Sequence, residues 1–181
     1  MLEGTFKDQF GEFPAGTYVR NPIGSAHAPW VDEDGCTIMV KLLQMADTGE
    51  GTDPLHIDLN KAKAESAKSI DDGSIVELYA NGKTGEMVEM LWLHAWAFLP
   101  VDERCEGGEE LFVVAGSLHL RNDAYRRWGW LRFPVTGDDR RPDLRAGVEG
   151  AQVFRKTGHL TEKSLSMEKI QISENDHMTS I

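Results

Sequence analysis

The sequence predicts an all-β fold, a sandwich or barrel of jelly-roll type, and three observations predict it. Short runs of β-formers are separated by turn signals about every 8–12 residues. Before residue 160, helix-forming composition is confined to Lys61–Lys68. The chain also repeats itself: Gly4, Arg20, Pro22, Gly35 and Lys41 recur in order as Gly116, Arg132, Pro134, Gly150 and Lys156. Sixteen residues separate glycine from arginine in both copies, and six separate Gly35 from Lys41 and Gly150 from Lys156. A repeat of this length indicates two related β-lobes. A whole strand pattern precedes Gly116 but not Gly4, so the chain is expected to start partway through its first barrel.

Taken in order, Tyr18–Arg20 and Thr37–Leu43 are strands, bounded by turns at Pro14–Gly16, Pro22–Ser25 and Asp32–Gly35. Residues 46–60 lose periodicity around Thr48–Pro54 and read as a connector. Ile75–Tyr79 lies between the turn signals Asp71–Gly73 and Asn81–Gly85, a hairpin leading into a long apolar strand, Val88–Leu99. Further strands fall at Leu111–Val114, Gly129–Phe133 and Ala151–Lys156. This divides the chain into the C-terminal part of a first lobe (1–48), a linker (49–72), a second lobe (73–160) and a polar tail (161–181).

A formal charge of −11, with 30 acidic against 19 basic residues, argues against nucleic acid, whose phosphates need clustered Lys and Arg. No apolar run approaches the ~20 residues that span a bilayer, so no membrane association is expected. The N-terminal Met-Leu-Glu-Gly-Thr-Phe-Lys has neither the basic nor the apolar region of a signal peptide. Two cysteines make no disulfide framework, and a cytoplasmic location is expected.

Gly16-Thr-Tyr-Val-Arg-Asn-Pro22 followed by Ser25-Ala-His27-Ala-Pro29, an acidic turn, Gly35-Cys36 and Val40-Lys41-Leu42 resembles the ChrR-type cupin family. The Gly–Pro–His spacing is similar to the second cupin motif. Glu109, four apolar residues, Ala115 and Gly116 resemble the end of the first motif, with Glu103 and Cys105 in the places of its two histidines. The resemblance covers about residues 2–45 and 88–160. It implies a double-stranded β-helix, here a tandem bicupin with an incomplete first barrel. Three imidazoles and a carboxylate at a barrel mouth would hold zinc, or alternatively iron, manganese or nickel.

The resemblance places one family ligand, His27, in the first lobe. In the second it places Glu103, Cys105, Glu109 and, at the position of His27, Asp139, a set reading as degenerate and leaving room for no metal at all. Trp92, His94 and Trp96 alternate and, with His119, are candidates to line a pocket. Arg20 and Arg132 recur at equivalent positions and are expected in structural ion pairs. His159 is expected to cap the barrel, and His56 and His177 to be exposed.

Three functions follow as expectations. One is a metal- or small-ligand-binding sensor or regulatory module related to anti-sigma factors. Direct sigma-factor binding is not expected without the family's separate N-terminal zinc domain. Another is a metal-dependent, iron dioxygenase-type enzyme, although the incomplete ligand sets lean away from catalysis. The last is a metal-free bicupin scaffold, a homodimer whose exposed strand edges are covered by a second copy.

Overall fold

The structure is a computed structural model describing residues 1–42, 45, 53–101, 108–134 and 141–160. The first lobe contains β1 (Glu3–Asp8), β2 (Gly11–Pro14), β3 (Thr17–Arg20), β4 (Cys36–Thr37) and β5 (Leu55–Asp58). After these come α1 (Leu59–Ser66), β6 (Lys68–Ile70), β7 (Gly73–Ala80) and β8 (Met87–Leu93). The second lobe closes with β9 (Glu109–Leu120), β10 (Asp123–Arg126), β11 (Trp130–Phe133) and β12 (Arg145–Thr157). The fold is the expected all-β one, with a single short helix among the described residues, and the His177 and tail expectations lie outside them. No helix among the described residues is long and apolar enough to cross a membrane.

The repeat is reproduced residue by residue. The β1–β2 hairpin pairs Thr5 with Pro14 and Asp8 with Gly11. The β9–β10 hairpin pairs Ser117 with Arg126 and Leu120 with Asp123, each residue 112 positions later. The Met1 amino group donates to Thr17 O at 2.6 Å, as Val113 N donates to Gly129 O at 2.9 Å. Gly4 (φ +67°) and Gly116 (φ +71°) are both left-handed, and a Cβ on either would run into the carbonyl oxygen of Gly35 or Gly150 respectively. The repeated glycines therefore mark a close backbone crossing that leaves no room for a side chain.

The two lobes share one wall. In the seven-stranded sheet, β12 lies between β8 and β9, β7 and β6 extend it beyond β8, and β10 and β11 pair with β9. One face of the wall carries Leu91, Leu93, Leu111, Val113 and Val153, which pack with Leu118, Leu131 and Leu144 inside the second lobe. The opposite face carries Val88, Met90, Phe112 and Phe154, which pack against Leu59, Tyr18, Met39 and Ile57. Burial on both faces is why Met87–Leu93 reads as a nearly unbroken apolar run instead of alternating.

Three local expectations change. The strand read as Val88–Leu99 ends at Leu93, because the chain turns through Trp96 (φ +63°) before Ala97 and Leu99 rejoin the core. Among the described residues of the strand read as Thr37–Leu43, ladder pairing is confined to β4, Cys36 and Thr37. The presumed connector contributes β5, which pairs with β3 from Thr17↔Asp58 to Arg20↔Leu55. In the second lobe the counterpart of β3 is β11, which pairs with the leading half of β9, Trp130 with Phe112 and Arg132 with Glu110. Thus β5 occupies in the first lobe the place that the start of β9 fills in the second. The Asp58 side chain then caps α1 by accepting from the amides of Asn60 and Lys61, so the helix begins two residues before Lys61.

Candidate functional site

His27 lies after β3, beyond the Pro22–Ser25 turn, where Ser25 Oγ and Ser25 N both bond to Pro22 O. Its Nδ1 is 3.1 Å from Oδ2 of the buried Asp8 at the end of β1, and the other Asp8 oxygen accepts from Phe10 N at 2.8 Å. A carboxylate fixing one ring nitrogen orients an imidazole and leaves Nε2 for a ligand. The rings continue from His27 to Phe6 (5.9 Å between centroids), to Phe13 (6.3 Å) and to His56 (4.6 Å), so this face of the first lobe is aromatic. His56 is on β5, exposed as expected, and meets Phe13 edge to face.

In the second lobe Glu109 shares the inward face of β9 with Leu111 and Val113, and it is held by arginines. Arg141 Nε lies 2.5 Å from its Oε2, and Arg155 Nη1 lies 3.8 Å from its Oε1. Arg155 also donates Nε and Nη2 to Glu89 Oε2 at 2.8 and 2.5 Å, and Nη1 to Pro100 O at 2.8 Å. Glu89, Glu109 and Arg155 lie two residues from Leu91, Leu111 and Val153 and on the same face, so this ion network closes one end of the second lobe's core. Glu103, Cys105 and Asp139 lie outside the described residues.

Among the described residues no three His, Cys, Asp or Glu side chains come together as ligands. His27 with Asp8 supplies two donors at most, and Glu109 is occupied by guanidinium groups. The described residues therefore do not make a metal cage.

The other face of the wall carries a second charge cluster between the lobes. Glu110 receives Lys41 Nζ on Oε2, Arg132 Nε at 3.5 Å and His159 Nε2 at 2.7 Å. Glu86 receives Arg20 Nη1 at 3.2 Å and Lys156 Nζ at 2.9 Å. The arginines thus do form ion pairs, and Arg20 also stacks 3.7 Å above the Tyr79 ring. Burial and the nearby Lys156 and Lys41 push the His159 pKa down to about 3, so a neutral imidazole donates Nε2–H to Glu110. Burial, then Lys156 and Arg132, lower Lys41 to about 7, although contact with Glu110 favours its ammonium form. Burial raises Tyr18 to about 12. This cluster was not foreseen as a unit; its trace in the sequence is the recurrence of Arg20 and Lys41 as Arg132 and Lys156.

Of the residues expected to line a pocket, Trp92 and His94 border a groove of about 670 Å³ with Lys63, Ser74, Glu149 and Gln152. Trp92 stands on the inter-lobe face of β8, with Lys63 Nζ 4.7 Å from its ring. Trp96 is exposed on its turn, and His119 places Nε2 3.2 Å from Ser117 Oγ on β9; neither borders this groove.

Residues 1–46 match the family model described as the ChrR cupin-like domain. None of the curated proteins matches the chain. Among solved structures it is similar to the complex of Rhodobacter sphaeroides SigE with the anti-sigma ChrR, at 13% identity and a TM-score of 0.42, covering 51% of this chain and 48% of that one. It is also similar to GK1651 from Geobacillus kaustophilus, at 12% identity and a TM-score of 0.44, covering 89% and 73%. A cupin-like protein of unknown function from Ralstonia eutropha gives 13% identity and 0.38, over 48% and 54%. The chain spans about half the length of the first of these structures.

Proposed function

Starting from a chain whose first 46 residues are ChrR-type cupin sequence, we propose a regulatory cupin module that recognises a small ligand or metal ion through its first lobe. The observation that supports this reading is the His27–Asp8 pair: a partly exposed imidazole oriented by a buried carboxylate at the position of the family's ligand histidine. A metal bound there would need donors besides the described residues. Because Glu109 is bound to Arg141 and Arg155, the second lobe serves in this reading as the scaffold that carries the first. The module is read as a cytoplasmic homodimer.

Zinc titration of the full chain followed by histidine-ring NMR tests it. The expected result is a perturbation of the His27 ring that His27→Ala abolishes while the fold persists. Zinc binding unchanged in His27→Ala, or no perturbation at millimolar zinc, overturns it.

A further inference from the structure

The inter-lobe face of the shared wall changes character along its strands. Val76, Met90, Phe154 and Phe112 stand opposite one another across β7, β8, β12 and β9, and first-lobe residues pack on them. Two residues along, Ser74, Trp92 and Gln152 are paired across β7, β8 and β12 in the same way. Ser69 on β6 continues this row beyond Ser74, and Ala115 on β9 continues it beyond Gln152. Directly opposed residues on antiparallel strands project from one face of a sheet. The five therefore make a single floor with the indole at its centre, and this floor is the base of the groove of about 670 Å³.

Trp92 is half-buried, and Lys63 Nζ from α1 lies over its ring, 4.7 Å from the centroid, so the indole turns a face towards the groove. Beside that face stand the Ser69 and Ser74 hydroxyls and the Gln152 amide, groups that both donate and accept hydrogen bonds. Lys63 and Glu149 add one charge of each sign, so the described lining favours neither an anion nor a cation. An aromatic platform edged by two-way hydrogen-bonding groups matches a ring with an apolar C–H face and hydroxyls around its rim. A flat aromatic ligand would use the indole but leave the hydroxyls and the amide unanswered. A cation resting on an exposed indole is weakly held, so the Lys63 side chain can yield the face to a ligand. We propose that this groove binds a neutral saccharide of one or two rings, one pyranose lying on Trp92 with its hydroxyls bonded to Ser74 and Gln152. A volume of this size is ordinary for a small-molecule site. The groove shares no residue with the His27–Asp8 pair, so either proposal can fail alone.

Saturation-transfer NMR on the full chain is the test, with glucose, galactose, maltose and cellobiose as probes at millimolar concentration and circular dichroism to check that each variant folds. The expected result is transfer from aromatic protons of the protein to the C–H protons of at least one sugar. Trp92→Ala should abolish it. Gln152→Ala, at a half-buried position clear of the inter-lobe core, should weaken the Kd about tenfold through loss of one hydrogen bond, and it keeps the test decisive if Trp92→Ala unfolds. Trp96→Ala, at an exposed tryptophan outside the groove, should leave binding unchanged. No transfer to any of the four sugars overturns the proposal, as does transfer that Gln152→Ala leaves at full strength or that Trp96→Ala removes. Salicylate binding at Trp92 in place of all four sugars overturns the ligand class.

Discussion

Lys41 of the first lobe sets its Nζ on the Glu110 carboxylate of the second, and its repeat counterpart Lys156 sets its own on Glu86. The arginines share the same two carboxylates, Arg132 with Glu110 inside the second lobe and first-lobe Arg20 with Glu86. First-lobe Lys41 and second-lobe Lys156 thus both end on carboxylates of the shared wall. Both carboxylates are buried, so each cation is held in place by a partner that cannot be withdrawn cheaply.

Neutralising either carboxylate should be severe. Glu110→Gln leaves Lys41 and Arg132 without their anion, and loss of one partner from a buried pair costs about 3–5 kcal/mol. Glu86→Gln should behave alike. By contrast Glu12→Gln, which removes an exposed partner of Lys7, should change stability by less than about 1 kcal/mol. Urea unfolding midpoints separate these outcomes, and equal effects at all three sites would refute the buried-pair account.

The titration of the cluster sets the pH profile. His159 binds its proton at about 3 when folded and at its ordinary 6.5 when unfolded. Between those values the unfolded chain holds more protons, so stability should fall as pH drops from 6.5 towards 3. Lys41, lowered to about 7, acts in the same sense higher up, and stability should rise from pH 7 towards 10.5. Melting temperature measured against pH checks both limbs: His159→Gln should flatten the acid limb and Lys41→Met the alkaline one.

The crossing glycines should resist substitution in both lobes. Gly116→Ala and Gly4→Ala each combine a left-handed backbone with a Cβ driven into a carbonyl oxygen, which should cost roughly 1–3 kcal/mol. Gly24→Ala has a similar φ of +82° but open space around it, and should cost about 1 kcal/mol or less. Equal losses at Gly24 and Gly116 in denaturant titrations would show that backbone strain alone, not the close crossing, requires the glycine.

In the second lobe Arg155 holds Glu89 directly and Glu109 from 3.8 Å. Arg155→Met should cost about 3–5 kcal/mol, and adding Glu89→Gln should return part of that loss, because the pair then disappears together. A double-mutant cycle measures the coupling, and additivity would mean that the two side chains do not share an interaction.

Much of the architecture was legible because the repeat is written in residues with single structural meanings. Gly4 and Gly116 mark backbone crossings, and Arg20 and Arg132 mark ion pairs. Alternation and turn residues located β7, β9 and β11. What stayed hidden depended on distant partners. Leu55–Asp58 is too short and too polar in alternate positions to announce a strand, and it becomes one only because β3 has a free edge beside it. The end of β8 was misread because Ala97 and Leu99 are apolar for the sake of the core, not of a ladder. At the candidate sites His27 was visible from its motif, whereas its Asp8 clamp was not, since nothing in the sequence connects residues 8 and 27. Likewise the family resemblance singled out Glu109, but Arg141 and Arg155 could be matched to it only in three dimensions.

The location of β5 also bears on how the polypeptide matures on the ribosome. The piece that flanks β3 is translated some 35 residues after it, and the wall against which Tyr18, Met39 and Ile57 pack is finished only when Phe154 has been made. The earliest-synthesised lobe must therefore wait for the latest, a dependence on remote pairings that slows folding and lengthens exposure to chaperones.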